Sequence, residues 1–291
     1  MRHGVTGSTL VTPHRVSPLE LSVPPENVFG HVKKVHLLRQ ALSTLRVEHR
    51  SGLRVLDVGC GNGSAVTRFL THADDEVLGI DIHEPSISYA RAHFERPGLR
   101  FEPRTLESLL NRGLRFDAIV FGDVLEHVPH PGAWLTAARE LLAGGGRVLV
   151  TVPNGHGPFE IESSLSRLPF VGKTLIRILD LAVAVLNKWI LPGRWSAVVT
   201  PPDVPYNSES GHVQFFTLPV LLALARRSGL RPIARRNLSC VSGPFSNYIL
   251  APFTSLCRLN TAIADLLPAA CASAWFLEFA PSERSQQSHG D

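Results

Sequence analysis

From residue 26 onward the apolar positions fall into two alternating patterns. Across 26–50, Val28, Val32, Val35, Leu38, Leu42 and Leu45 recur at three- and four-residue steps, which predicts an amphipathic helix with one packed face. Short continuous apolar runs then alternate with stretches of helical length: LRVLDVG, SAVTRFLTH, EVLGIDI, EPSISYARAHF, LRFEP, FDAIVFGDV, PGAWLTAARELLAGGG and RVLVTVPN. Continuous Val, Ile and Leu runs are the pattern of strands buried on both faces, and crossovers long enough for helices make those strands parallel. The predicted architecture is therefore α/β, a doubly wound and mostly parallel sheet of seven strands with helical inserts. The triple glycine Gly144 to Gly146 reads as a helix cap before the next strand.

After Asn154 the alternation stops until about residue 210, too long for a plain connection, so an inserted element is expected at about 155–210. Helix and strand signals return in TLPVLLALARRSGL and RPIARRNLS. A second apolar insert, about 243–271, precedes a last strand at Ser273 to Ala280. Residues 1–25, rich in Pro, Ser and Thr without an apolar period, read as a loose arm, leaving 26–291 as one domain.

Within the first insert, Lys173, Arg177, Asp180, Ala184, Asn187 and Lys188 form a narrow stripe at helical spacing. The remaining arc, from Leu175 to Ile190, is apolar. Two readings stay open. The arc is core, covered by Leu250, Phe253, Leu256, Leu259 and Leu266 of the second insert, or it is an acceptor channel or a helix lying on a membrane surface. Arg177, Asp180 and Lys188 interrupt the stretch from Lys173 to Leu191 too often for a membrane-spanning helix. The arginines at 226, 227, 231, 235 and 236 are either a solvated face or a contact for lipid phosphate.

Composition narrows the class. A 291-residue chain with 44% hydrophobic and 19% charged residues is globular, and a net charge of +4 without a basic run gives no support for a nucleic-acid groove. Cys60, Cys240, Cys257 and Cys271 show no CxxC pair, so neither zinc nor a disulfide framework is indicated. The first residues lack the apolar core of a secretory signal, and a cytoplasmic location is expected, with peripheral membrane contact open.

The chemistry concentrates in VLDVGCGNGSA, where a strand carries Asp57 and is followed by Gly59, Gly61 and Gly63. The spacing is GxGxG, not the GxGxxG of dinucleotide folds. An acid two positions before the first glycine suits a positively charged amino group better than a pyrophosphate. Eighteen residues after Gly63, Asp81 ends the next strand, placed to accept hydrogen bonds from ribose hydroxyls. Together the two acids fit a nucleoside with a cationic amino-acid tail.

On these residues the chain resembles the class I S-adenosyl-L-methionine-dependent methyltransferases, in particular the small-molecule group with a DVLEHV-type motif, and is similar to ubiquinone-biosynthetic O-methyltransferases. The resemblance covers about residues 27–240 and the last strand. It implies that Asp57, Gly59, Gly61 and Gly63 hold the methionine part of the cofactor and Asp81 the ribose. Ile82, Thr105, Leu106 and Asp123 complete the cofactor set, although FEPRTLESL offers Thr105 and Leu106 at the place where the family often has an acid near adenine. FGDVLEHVPHP is neither NPPY nor DPPY and has no Pro-Cys nucleophile, so oxygen is the preferred acceptor atom.

His127 is the first candidate base, with Glu126 and His127 as mere helix caps the alternative. His212, in GHVQFFTLPV, is the second, with a loop hydrogen bond as its alternative. Asp123, Glu126 and His127 also keep the spacing that binds a divalent metal in some relatives, with His156 or His212 completing the shell. The same letters recur in metal-free relatives, so no metal is assigned. The expected partner is a small-molecule acceptor, either hydrophobic or lipid-linked or a polar sugar or natural-product scaffold. A non-catalytic, cofactor-binding scaffold is the rival. Oligomeric state is not written in the pattern.

Overall fold

The computed structural model describes residues 26–189, 205 and 211–282. The expected arm at 1–25 and much of the first insert's second half, 190–204 and 206–210, lie outside the described residues.

Seven strands, β1 (Arg54–Val58), β2 (Glu76–Asp81), β3 (Leu99–Pro103), β4 (Phe116–Gly122), β5 (Leu142–Pro153), β6 (Leu230–Asn237) and β7 (Ala274–Pro281), form one sheet in the order β3-β2-β1-β4-β5-β7-β6. β7 runs antiparallel to both of its neighbours, and the other pairings are parallel. Chain order reverses between β1 and β4, which opens a crevice at their carboxyl ends. Nine helices are described: α1 (His31–His49), α2 (Glu84–Phe94), α3 (Glu107–Leu110), α4 (Pro131–Leu141), α5 (Pro158–Arg167), α6 (Val171–Trp189), α7 (Leu218–Arg227), α8 (Pro244–Leu250) and α9 (Thr254–Leu266).

Because side chains alternate across a strand, β1 and β4 feed two cores. Val55 and Val120 join Leu38, Leu42 and Leu45 of α1 on one face. Leu56 and Ile119 join Leu135 of α4 and Leu221 of α7 on the other. Along the apolar period at 28–45, Val35, Leu38, Leu42 and Leu45 are buried and Val32 is half-buried, with Val28 buried just ahead of the helix itself.

Two local expectations change. SAVTRFLTH is not a regular helix: only a single 3-10 turn, Thr67–Phe69, follows the glycines. Asn62 Oδ1 accepts from the backbone N and Oγ of Ser64 at 3.1 and 2.6 Å, and Thr67 Oγ1 donates to Asp57 Oδ2 at 2.6 Å. These side-chain bonds compete with helix formation there. The triple glycine is not a cap either. α4 ends at Leu141, Leu142 already pairs with Phe116, and the glycines lie inside β5 where the register shifts, with Gly145 at φ +79°.

Both inserts leave from carboxyl ends of strands, after β5 and β6. Glu162 of α5 accepts from the backbone N and Oγ of Ser246 at 2.8 and 2.6 Å, so α5 and α8 are tied together. The second insert does not bury the apolar arc of α6. α8 meets α6 on the polar stripe, where Tyr248 Oη donates to Asp180 Oδ1 at 2.5 Å. Val183 is buried, whereas Ile178, Leu181 and Trp189 are 57%, 68% and 74% exposed. α9 instead braces the start of α1: Lys33 Nζ donates to Thr261 O at 2.8 Å and pairs with Asp265, and Asn260 Nδ2 donates to Val28 O at 2.8 Å. Among the described residues no helix is long and apolar enough to cross a membrane.

Candidate active site

The glycine turn is built by steric exclusion. Gly59, Gly61 and Gly63 all have positive φ, +70°, +54° and +72°. A Cβ on Gly59 would lie 2.7 Å from Val124, and one on Gly63 would lie 2.7 Å from Phe101. A Cβ on Gly61 would meet nothing within 4 Å, so the middle of the turn faces open space.

Two carboxylates flank that space. Asp81 Oδ2 accepts from Gly61 N and its Oδ1 from His83 N, both at 2.8 Å. Each oxygen keeps a further acceptor site, and the next residue, Ile82, is exposed. Asp57 lies beneath the turn, 2% exposed, with Thr67 as its hydroxyl donor. Burial pushes its carboxyl up to about 7, Thr67 opposes the shift, and the charge of Asp81 adds to it. Among the described residues no cationic side chain pairs with Asp57. An acid buried without a counter-charge beside an open turn fits the amino group of a methionine-like ligand. Of the other expected cofactor contacts, Thr105 Oγ1 faces Ser108 N at 3.4 Å at the start of α3, and the Leu106 side chain is turned into the core.

Asp123 stands at φ +59°, a strained conformation for a residue with a side chain. Its carboxylate is held by Lys34 of α1 and by Thr151 Oγ1, the latter at 2.7 Å. Burial works to raise the Asp123 carboxyl, but Lys34, Thr151 and the nearby His31 together hold it below the usual range. His31, one turn earlier on α1, is pushed down to about 4 by burial and by the charge of Lys34. Neither α1 residue is marked as part of the site by the sequence motifs. The available signal was Lys34 itself, a lysine on the same stripe as Leu38, Ala41 and Leu45.

Beyond β4 the chain makes a 3-10 turn, Leu125–His127, and brings the two candidate bases together. The His127 and His212 rings are 4.9 Å apart and tilted edge to face. The segment carrying His212 is pinned because Val213 N and Gln214 N both donate to Glu126 O, at 2.9 and 3.0 Å. His127 Nδ1 lies 3.2 Å from Gly211 O, and His212 Nδ1 lies 2.8 Å from Glu160 Oε1. The alternative partner for His212, loop backbone, gives way to this carboxylate, and α4 receives no side-chain cap at its start.

Glu126 is 1% exposed, its Oε2 has no hydrogen-bond partner, and burial followed by the charge of Asp123 pushes its carboxyl well up. Ligand atoms of Glu126, His127 and His212 lie within 4.8 Å of one another. The metal set suggested by spacing is thus regrouped: Asp123 is taken by Lys34, and among the described residues His156 is not part of the cluster. Above the glycine turn, Pro205 O accepts from Asn62 Nδ2 at 3.2 Å and from Ser86 Oγ at 3.4 Å, so the first insert reaches back to the cofactor side.

This geometry meets a sequence match over the same span. Residues 29–234 match the family described as a methyltransferase domain. The chain belongs to the class I S-adenosylmethionine-dependent methyltransferases. Among the relatives of this methyltransferase are the ubiquinone biosynthesis O-methyltransferase of Ruegeria sp. (strain TM1040), 30% identical over 64% of this chain and 63% of the relative. The enzyme of the same name from Cereibacter sphaeroides (strain ATCC 17029 / ATH 2.4.9) is 32% identical over 64% of each. The match therefore spans less than two thirds of these relatives. A structure from Listeria monocytogenes, titled as an S-adenosylmethionine dependent methyltransferase, superposes with a TM-score of 0.52 at 14% identity, covering 86% of this chain and 98% of that one. That likeness concerns the fold alone.

Proposed function

We propose that this methyltransferase transfers a methyl group from S-adenosylmethionine to a hydroxyl of a hydrophobic or lipid-linked small molecule. The observation that carries the reading is the pairing of His127, just beyond β4, with His212, together with the apolar surface that the inserts present. The bound cofactor supplies an electrophilic methyl on a sulfonium. Asp57 and the open face of Gly61 would hold its amino-acid end, Asp81 its ribose, and Ile82 the adenine side.

The chain's remaining task is to place the acceptor oxygen in line with the methyl and to take its proton. His127 or His212 accepts that proton as the O–C bond forms and the S–C bond breaks, releasing S-adenosylhomocysteine and the methyl ether. The ubiquinone biosynthesis O-methyltransferases among its relatives support an oxygen acceptor. The exposed arc of α6, continued by Leu168 and Phe170, supports peripheral contact with a lipid surface.

A second reading is favoured by one specific feature, the buried and unpartnered Glu126 Oε2 next to two imidazoles. A divalent cation held by Glu126, His127 and His212 would fit that donor set and would lower the pKa of an acceptor hydroxyl.

The deciding experiment incubates the protein with methyl-labelled S-adenosylmethionine and fractionated cell extract, with and without a chelator. Label in the lipid phase is expected. Label only in water-soluble products overturns the lipid-linked acceptor. Binding of S-adenosylhomocysteine without any turnover makes the protein a scaffold. Loss of turnover on chelation, restored by magnesium or manganese, selects the metal-assisted route.

A further inference from the structure

We infer that Glu160 is a positioning residue for His212. Its carboxylate fixes the tautomer and rotation of that imidazole, so that the acceptor-side insert sets the geometry of the base. The inference rests on the proposed role of His212 in methyl transfer.

Glu160 lies in the first turn of α5, the first helix of the first insert, and is 7% exposed. Its Oε1 is 2.8 Å from His212 Nδ1. When Glu160 is ionised its carboxylate only accepts hydrogen bonds, so Nδ1 carries the hydrogen of this contact, and in a neutral ring the lone pair is then left on Nε2. Two ring contacts limit rotation: Phe159 stands 5.7 Å away and His127 4.9 Å away. The backbone on either side is also fixed, by Val213 N and Gln214 N on Glu126 O and by Gly157 N on Asn154 O at 2.9 Å.

The carboxylate thus comes from α5, in the first insert, and not from the strand end that carries Glu126 and His127. Placing the insert and orienting the imidazole become one event. Whether Nε2 takes a proton or ligates a cation, the carboxylate on Nδ1 has the same orienting effect.

The test compares Glu160→Ala, Glu160→Gln, His212→Ala and the double variant Glu160→Ala with His212→Ala. Four quantities are read: kcat, the KM for acceptor, the Kd for S-adenosylhomocysteine, and the ring 15N spectrum of His212. Glu160→Ala should lower kcat by roughly 10- to 100-fold, a range typical of losing a partner that orients an active-site histidine. Cofactor Kd should not change. Glu160→Gln keeps an acceptor oxygen for Nδ1 and should recover part of the loss. The double variant should be no slower than His212→Ala alone, because the carboxylate acts only through that ring.

Wild-type spectra should show the Nδ1–H form of His212, and Glu160→Ala should shift the population toward Nε2–H. A Glu160→Ala protein with wild-type kcat, an unchanged His212 tautomer, or kcat losses that add to those of His212→Ala would each overturn the proposal. If no acceptor is methylated by the wild type, the functional reading fails separately, and the ring spectra still decide whether Glu160 sets the tautomer.

Discussion

The two sides of the crevice are built on opposite terms. On the glycine-turn side the two carboxylates are placed by the sheet: Asp57 and Asp81 sit on neighbouring parallel strands, and the glycine turn that follows Asp57 is shaped by Val124 and Phe101. On the insert side helices tied through side chains, Glu162 to Ser246 and Tyr248 to Asp180, leave a broad apolar surface facing outward. A cofactor of fixed shape calls for the first kind of site. An acceptor with a long apolar part calls for the second, in which area matters more than direction. The difference implies that charge substitutions should act on cofactor binding near the turn and on acceptor handling near the inserts, with the histidine pair at the boundary.

The largest effect is expected at that boundary. His127→Ala should lower turnover by about 10² or more while leaving S-adenosylhomocysteine affinity nearly unchanged, as loss of a general base does. Rapid-quench turnover beside calorimetry makes the measurement. A variant that turns over like the wild type would return His127 to a structural part and leave His212 as the base.

Asp57 offers a test in which stability and binding move in opposite directions. Its folded carboxyl keeps its proton up to about pH 7, whereas the unfolded chain releases it near 4. The folded state therefore binds the extra proton, and this group makes the ligand-free protein less stable as pH rises from about 4 to 7. Asp57→Asn, which keeps an acceptor for Thr67, should raise the melting temperature of the ligand-free protein at pH 8 and flatten that pH dependence. The same change should weaken S-adenosylhomocysteine by roughly 10- to 100-fold, from loss of a charge-assisted bond of about 1.5 to 3 kcal/mol. Affinity that is unchanged by Asp57→Asn would place the amino group elsewhere.

A smaller loss is expected at Asp81, which already serves two backbone donors. Asp81→Ala should weaken cofactor binding at least several-fold, at about 0.5 to 1.5 kcal/mol for each ribose bond removed, and should loosen the turn at Gly61. Comparing adenosine with 2′-deoxyadenosine as competitors separates the two contributions. Equal competition by both against the wild type would remove the ribose assignment.

These expectations follow how information is distributed along the chain. Asp57, the three glycines and Asp81 stand out in sequence because strand ends and tight turns tie residue type to backbone position locally. The alternation of strands and helices and the mostly parallel sheet follow from the same local patterns read in series, whereas the strand order and the antiparallel setting of β7 depend on distant pairings that those patterns do not specify. Lys34 was hidden because an amphipathic helix normally carries lysines. Only its place on the apolar stripe marks it, and its partner Asp123 is 89 residues away. Glu160 carried no signal beyond an acid in the first turn of a helix, an ordinary preference there. The fate of the α6 arc was likewise closed to periodicity, since a period tells which face is apolar and nothing about what covers it.

That arc supplies the smallest expected effect on the folded protein and the sharpest contrast between the two sides. Ile178 and Leu181 are mostly exposed on α6, so replacing both with Asp buries no charge and should leave the melting temperature and the S-adenosylhomocysteine affinity close to wild type. If the arc meets lipid, the same pair should abolish binding to vesicles, because two carboxylates would have to enter the headgroup boundary with the apolar face. Val183→Asp is the internal control. It lies on the same helix but is buried, and should lower the melting temperature whether or not lipid is present. Wild-type protein that fails to float with neutral or anionic vesicles would dismiss the membrane contact, and the exposed arc would then act on the acceptor alone. Vesicle binding that survives the double substitution would move the contact to another surface, with the arginines at 226, 227 and 231 the first to replace.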